Sequence, residues 1–236
     1  PNYYLAKVHR SGKIVWAEAI RGHSVGMSRA RIDSYGVIKV AGKLAGQAIW
    51  RKTTIKTPYH GGAILMIDTS GNLIGVQPFG RCLKSCYTFS IRFFDAADDG
   101  SSSVIGTFNG FYQFGDHTVE LKQDATLVIH FTPAGKVAWI RAIHSPNAML
   151  PVDIVLTDKT TYVSGRFKGS LTVGKKTLNP GGPNGYIARF SRDGVLDWAM
   201  STQSIGASIA AISASDNGDS YIAGYFNSKI KLGSFN

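Results

Sequence analysis

Charge and cysteine are both scarce in this chain: of 236 residues only 17% are charged and two are cysteines. Low charge beside 44% hydrophobic residues and 27 glycines excludes a solvated, disordered chain and argues for a turn-rich folded one. Apolar runs stay well short of the roughly 18 residues that a membrane-spanning helix needs. The chain opens at Pro1 with neither an initiator methionine nor a signal-peptide pattern, which reads as a mature product, an excerpt or a trimmed piece. H-E-x-x-H, G-x-S-x-G, Walker A and dinucleotide fingerprints are all missing. The glycine pairs Gly61-Gly62 and Gly181-Gly182 fall between expected strands, where they serve turns. Histidines 9, 23, 60, 117, 130 and 144 form no close pair with cysteine or carboxylate, so no local pattern writes a metal or catalytic centre. His130 holds the repeat position of Lys7, Met66 and Arg189 and reads as a strand residue.

Cys82 and Cys86 are spaced C-x-x-x-C, which is neither a four-ligand zinc pattern nor the redox C-x-x-C. A short disulfide clasping a loop, suited to an oxidising compartment, is preferred over two free thiols. No cofactor is implied. Calcium has only turn aspartates to choose from, namely Asp33, Asp95, Asp158, Asp216 and the Asp98-Asp99-Gly100 run, and such turns also arise for backbone reasons alone.

What is present in abundance is repetition. A glycine turn between two apolar strands recurs at Gly12, Gly71, Gly135 and Gly194, at intervals of 59, 64 and 59 residues. A second anchor, the glycine within Val40-Ala41-Gly42, Val104-Ile105-Gly106, Val163-Ser164-Gly165 and Ile222-Ala223-Gly224, recurs at 64, 59 and 59. Each unit reads as short strands of four to seven residues bounded by Gly, Asn, Asp or Pro, the pattern of hairpins. Strand-rich units repeated at a fixed period predict an all-β β-propeller, in which each small sheet covers its neighbour. The units run roughly over 1–61, 62–124, 125–183 and 184–236, within one domain. Trp16, Trp139 and Trp198, each four residues beyond a turn glycine, are expected to pack between blades; Gly75 takes that place in the second unit. Pro1 to Lys7 matches Pro183 to Arg189, so the two ends complement each other within one blade. They fit either a closed four-bladed ring or part of a larger propeller.

On Tyr186-Ile187-Ala188-Arg189-Phe190, Gly194, Trp198 and Tyr221-Ile222-Ala223-Gly224-Tyr225-Phe226, the unit resembles the bacterial SBBP, or seven-bladed β-propeller-type, repeat. The resemblance implies a propeller, found mostly in secreted or surface-attached bacterial proteins, and prescribes no activity.

Net charge is +11, and residues 1–60 carry eleven Lys or Arg against Glu18 and Asp33 alone. That asymmetry points to an acidic partner: a protein, an acidic glycan or an anionic surface. Basic and aromatic residues interleave at Trp50, Arg51, Lys52, Lys56, Tyr59 and His60, the expected binding segment; a lysine-protected sheet edge gives the same pattern. The leading expectation is a non-catalytic extracellular, cell-surface or periplasmic interaction module that binds a protein or glycan. A carbohydrate-active enzyme with a site at the propeller channel, and a self-assembling structural protein, are the alternatives. Nucleic acid is not the expected partner.

Overall fold

A computed structural model describes residues 2–58, 61–215, 217–227 and 229–232. Strands β1 (Tyr3–Val8), β2 (Ile14–Ile32), β3 (Ile38–Trp50), β4 (Thr53–Lys56), β5 (Gly62–Ile67) and β6 (Leu73–Phe79) form a first sheet. Its order is β1-β2-β3-β5-β6, with β4 paired to β3. Strands β7 (Arg81–Ala96), β8 (Ser102–Phe114), β9 (His117–Phe131) and β10 (Val137–His144) build the second sheet as consecutive antiparallel neighbours. Strands β11 (Met149–Leu156) and β12 (Thr160–Lys168) begin the third. The short β13 (Leu171–Val173) and β14 (Lys176–Leu178) leave it and add to β10, whereas β15 (Pro183–Ser191) and β16 (Leu196–Ser201) return to β12. Strands β17 (Ser208–Ala214) and β18 (Ser220–Tyr225) pair as a fourth sheet.

The all-β class matches the expectation; the propeller does not. Among the described residues the sheets hold six, six, four and two strands, remain separate and close no ring. Two local events explain why. β2 runs unbroken for 19 residues, so its first half binds β1 while its second half binds β3, which ties the first hairpin into the first sheet. The β13–β14 hairpin, read as part of the third unit, pairs with β10 of the second sheet through Ile143 and His144. The propeller label and the seven-bladed repeat label therefore do not describe this topology. The expected propeller interaction module with its basic first unit, the enzyme with a site at the propeller channel and the self-assembling propeller fall with them, since the described residues form no ring and enclose no channel.

The hairpins are built as the repeat suggested. Gly12, Gly71, Gly135 and Gly194 all have φ between 73° and 84°, the left-handed region in which a Cβ is penalised, and each N–H donates to the carbonyl three residues back. Following strands pair in one register: Gly42 faces Ala63, Gly106 faces Leu127 and Gly165 faces Tyr186. Inward residues then form continuous cores, the largest around Phe79, Phe89, Phe108, Tyr112, Phe114 and Phe131. One strand from each sheet joins a row across the molecule, with β7 between β2 and β11, and β11 between β7 and β17.

Two buried carboxylates stitch those strands together. Asp95 on β7 accepts the Leu156 N–H of β11 at 2.8 Å and pairs with Arg31 of β2. One sheet further on, Asp153 accepts the Ile212 N–H of β17 at 3.3 Å and pairs with Arg29 at 2.8 Å. Burial pushes the Asp95 carboxyl up, while the Leu156 N–H and then Arg31 oppose that rise. These aspartates thus join sheets. Asp33 likewise spends its oxygens on Lys39, Tyr35 N–H and Val37 N–H, and Asp99 on Arg192 and Ser101 N–H. Asp216 lies outside the described residues.

Candidate functional site

The feature with the clearest local construction lies on the outer arm of the second sheet. Around Asn109 and Gly110 the central strand β8 is flanked by a bulge on either side. Lys84 pairs with Phe111 and Thr88 with Asn109, so Ser85, Cys86 and Tyr87 are extruded from β7. Across β8, Phe108 pairs with Ala125 and Gly110 with Leu121, so Lys122, Gln123 and Asp124 are extruded from β9. Extra residues bend a strand and re-aim its side chains, which is the usual structural use of a bulge.

Three features hold the arrangement. Cys82 and Cys86 are joined by a disulfide with Cα atoms 5.9 Å apart, which closes the β7 bulge at its base. Ser85 adopts φ 50° inside that loop, and Gly110 adopts φ 127° beneath it. A Cβ on Gly110 would stand 2.5 Å from the Ser85 carbonyl oxygen and 2.6 Å from Cys86 Cα, so only glycine allows the bulge to settle onto β8. Thr88 Oγ1 donates to Asp124 Oδ1 at 3.0 Å, linking the two bulges, and Tyr112 Oη donates to the Thr88 carbonyl at 2.7 Å. The Tyr112 phenol is pushed up to about 12, by burial first and by Asp124 second, so it stays a donor at any physiological pH.

Between the bulges lies an open cleft of about 510 Å³. Lys84 and Lys122 supply cations from opposite walls, and Glu120 supplies the one carboxylate among the lining residues. Asn109 adds an amide, and Tyr87 offers an aromatic ring that is 78% exposed. This set can attract an anion, exchange hydrogen bonds with hydroxyls and stack against an apolar face. Among the described residues no group of three or more His, Cys, Asp or Glu could hold a metal ion.

The segment expected to bind is arranged otherwise. Trp50 is buried in the first-sheet core with Nε1 donating to the Gly71 carbonyl at 3.1 Å. Arg51 sits at φ 52°, pairs with Glu18 at 2.8 Å and donates to Asn72 Oδ1 at 2.6 Å. Lys52 and Lys56 are exposed, and Tyr59 and His60 lie outside the described residues. Trp16 Nε1 donates to Thr69 O at 3.0 Å within the first sheet, whereas Trp139 Nε1 donates to Arg192 O at 2.8 Å, from the second sheet to a turn of the third. Trp198 is half-buried and meets Tyr162 edge-on at 6.3 Å. His130 stacks on Trp139 at 5.1 Å. Sequence reasoning missed Lys84, Tyr87, Asn109 and Lys122; the C-x-x-x-C spacing was the signal that could have led to them.

No family model matches the chain, and no curated protein matches it. No helix among the described residues is long and apolar enough to cross a membrane.

Proposed function

We propose that this chain is a binding protein that takes an acidic saccharide into the double-bulge cleft, acting without catalysis in an oxidising, extracytoplasmic compartment. The carrying observation is the pairing of Lys84 and Lys122 across a cleft that also exposes the Tyr87 ring. Two ammonium groups suit a carboxylate or sulfate, Glu120 and Asn109 suit sugar hydroxyls, and an aromatic face suits the C–H side of a pyranose. Glycoside hydrolysis commonly uses two carboxyl groups across the bond, and this cleft is lined by one, which favours holding over cutting. The Cys82–Cys86 bond supports an oxidising compartment, where disulfides persist.

Isothermal titration with a hyaluronan hexasaccharide and with its carboxyl-reduced neutral form tests the reading. The acidic form should bind and the neutral form should bind at least about tenfold more weakly, a difference of roughly 1.4 kcal/mol. Lys84→Ala with Lys122→Ala should remove the preference for the acidic form, and Tyr87→Ala should weaken both. Equal binding of the two sugars, or unchanged binding by the double lysine variant, would defeat the proposal.

A further inference from the structure

Cys82 and Cys86 lie on one strand, and the bond between them sets how that strand runs. Residues four apart on an extended strand stand about 13 Å from each other, at roughly 3.3 Å a step. The Cys82 and Cys86 Cα atoms are 5.9 Å apart. The chain between them therefore cannot stay in the ladder, and the register passes from Lys84 opposite Phe111 to Thr88 opposite Asn109. Ser85 sits at φ 50° within the loop so closed, a left-handed conformation that serine rarely adopts unconstrained.

The two ends of this segment are held differently. Thr88 is fixed without help from sulfur: its carbonyl accepts from Tyr112 Oη at 2.7 Å and its Oγ1 donates to Asp124 Oδ1 at 3.0 Å. Between Lys84 and Thr88 no residue is paired to β8, and there the disulfide is the tether. Lys84, Ser85 and Tyr87, one wall of the cleft, lie between Cys82 and Thr88. The opposite wall, Glu120 to Lys122, stands on β9 across the central strand. Opening the bond thus frees one wall and leaves the other standing.

The bond is also placed to be attacked. Cys82 and Cys86 rest against the second-sheet core on one side and are partly exposed on the other. Exposed Arg81 and Lys84 flank Cys82. Cations so close favour the thiolate that must leave when a disulfide opens, and they draw an incoming thiolate towards it.

We infer that the Cys82–Cys86 bond is a redox latch on the cleft, binding when oxidised and binding weakly once a dithiol has reduced it. The inference rests on the saccharide reading for its ligand. One thiolate of the dithiol attacks a cysteine sulfur, the S–S bond breaks, and the other cysteine leaves as a thiolate that takes up a proton. The second dithiol sulfur then displaces the first cysteine, so two electrons and two protons pass to the protein and the reductant becomes a cyclic disulfide.

Isothermal titration of the hyaluronan hexasaccharide into oxidised, dithiothreitol-reduced and reoxidised protein reads the latch, with thiol counting to establish each state. Reduction should weaken binding about tenfold or more, and reoxidation should restore it. Cys82→Ser with Cys86→Ser should bind as the reduced protein does and ignore dithiothreitol. Equal affinity of the oxidised and reduced forms would overturn the latch. If neither form binds the hexasaccharide, the saccharide reading fails separately, and hydrogen exchange then decides the latch without a ligand. Reduction should quicken amides 84–87 and leave amides 119–122 as slow as before; unchanged exchange at 84–87 would overturn the inference.

Discussion

Trp139 and Gly194 lock the second sheet to the third: the indole lies where a Gly194 side chain would be, and Nε1 reaches past it to the Arg192 carbonyl at 2.8 Å. Arg141 completes the clasp by donating to the Gly194 carbonyl at 2.6 Å. The contact is polar at its rim and apolar at its centre, so it fixes both the distance and the rotation of the turn against the neighbouring sheet.

That contact makes two chemically identical substitutions behave differently. Gly194→Ala places a methyl 2.6 Å from Trp139 Cδ2 and also strains a residue at φ 73°. Gly12→Ala meets only the backbone strain at φ 82°, with open space around it. Urea unfolding should show about 1 kcal/mol lost for Gly12→Ala. Gly194→Ala should lose roughly 2–4 kcal/mol, since its clash forces the indole aside. Equal losses would mean that the turn at Gly194 carries no inter-sheet contact.

The hairpins were legible because their signals are local. Glycine in a left-handed turn, flanked by alternating apolar residues, marks Gly135 or Gly194 without reference to anything distant. Ring closure was not legible, because it depends on whether β1 and β18 meet, and the same strands satisfy the repeat whether they pair or not. The long β2 shows the difficulty: Val15 to Ile32 contains no breaker strong enough to reveal that it serves β1 and β3 in turn. The Trp50 segment shows a related limit at two of its residues. Its basic and aromatic alternation looks like an exposed binding ribbon, but β3 carries Trp50 into the core and the following turn recruits Arg51 to Glu18. The double bulge was hidden because a bulge is defined by what stands opposite it, and only pairing reveals that three residues on each side of β8 face a single one, two more than a regular ladder holds.

Removing the clasp at the β7 bulge should be felt in the cleft as well as in the fold. Chain-entropy arguments give a loop this short about 2 kcal/mol of stabilisation from its cross-link. Cys82→Ser with Cys86→Ser should therefore lower unfolding stability by about that amount while leaving the strand signature of the spectrum in place. Ser85 would no longer be held at its left-handed conformation over Gly110, and Tyr87 would lose its fixed presentation. Hydrogen exchange of amides 84–88 should quicken more than that of the distant β12. Uniform quickening through the molecule would show that the disulfide supports the whole fold rather than this arm.

His130 sets a pH dependence whose sign can be worked through. Burial lowers its pKa to about 4 from the ordinary 6.5, with Asp99 opposing the shift and Arg192 adding to it. The ring stacks on Trp139 and its Nδ1 lies 2.9 Å from Ser103 Oγ, an environment arranged for the neutral imidazole. As pH falls from about 6.5 towards about 4, the unfolded chain takes up a proton at this residue while the folded chain does not. Acid therefore favours unfolding across that window, by up to about 3 kcal/mol at its lower end. Carboxylates titrate nearby, so the informative quantity is the difference between wild type and His130→Gln. The variant should be the less stable at neutral pH, because it loses the ring stack, and the gap should shrink or reverse by pH about 4.5. A gap that stays constant from neutral to acid pH would mean that His130 titrates alike in both states, and that its burial against Trp139 costs the imidazolium nothing.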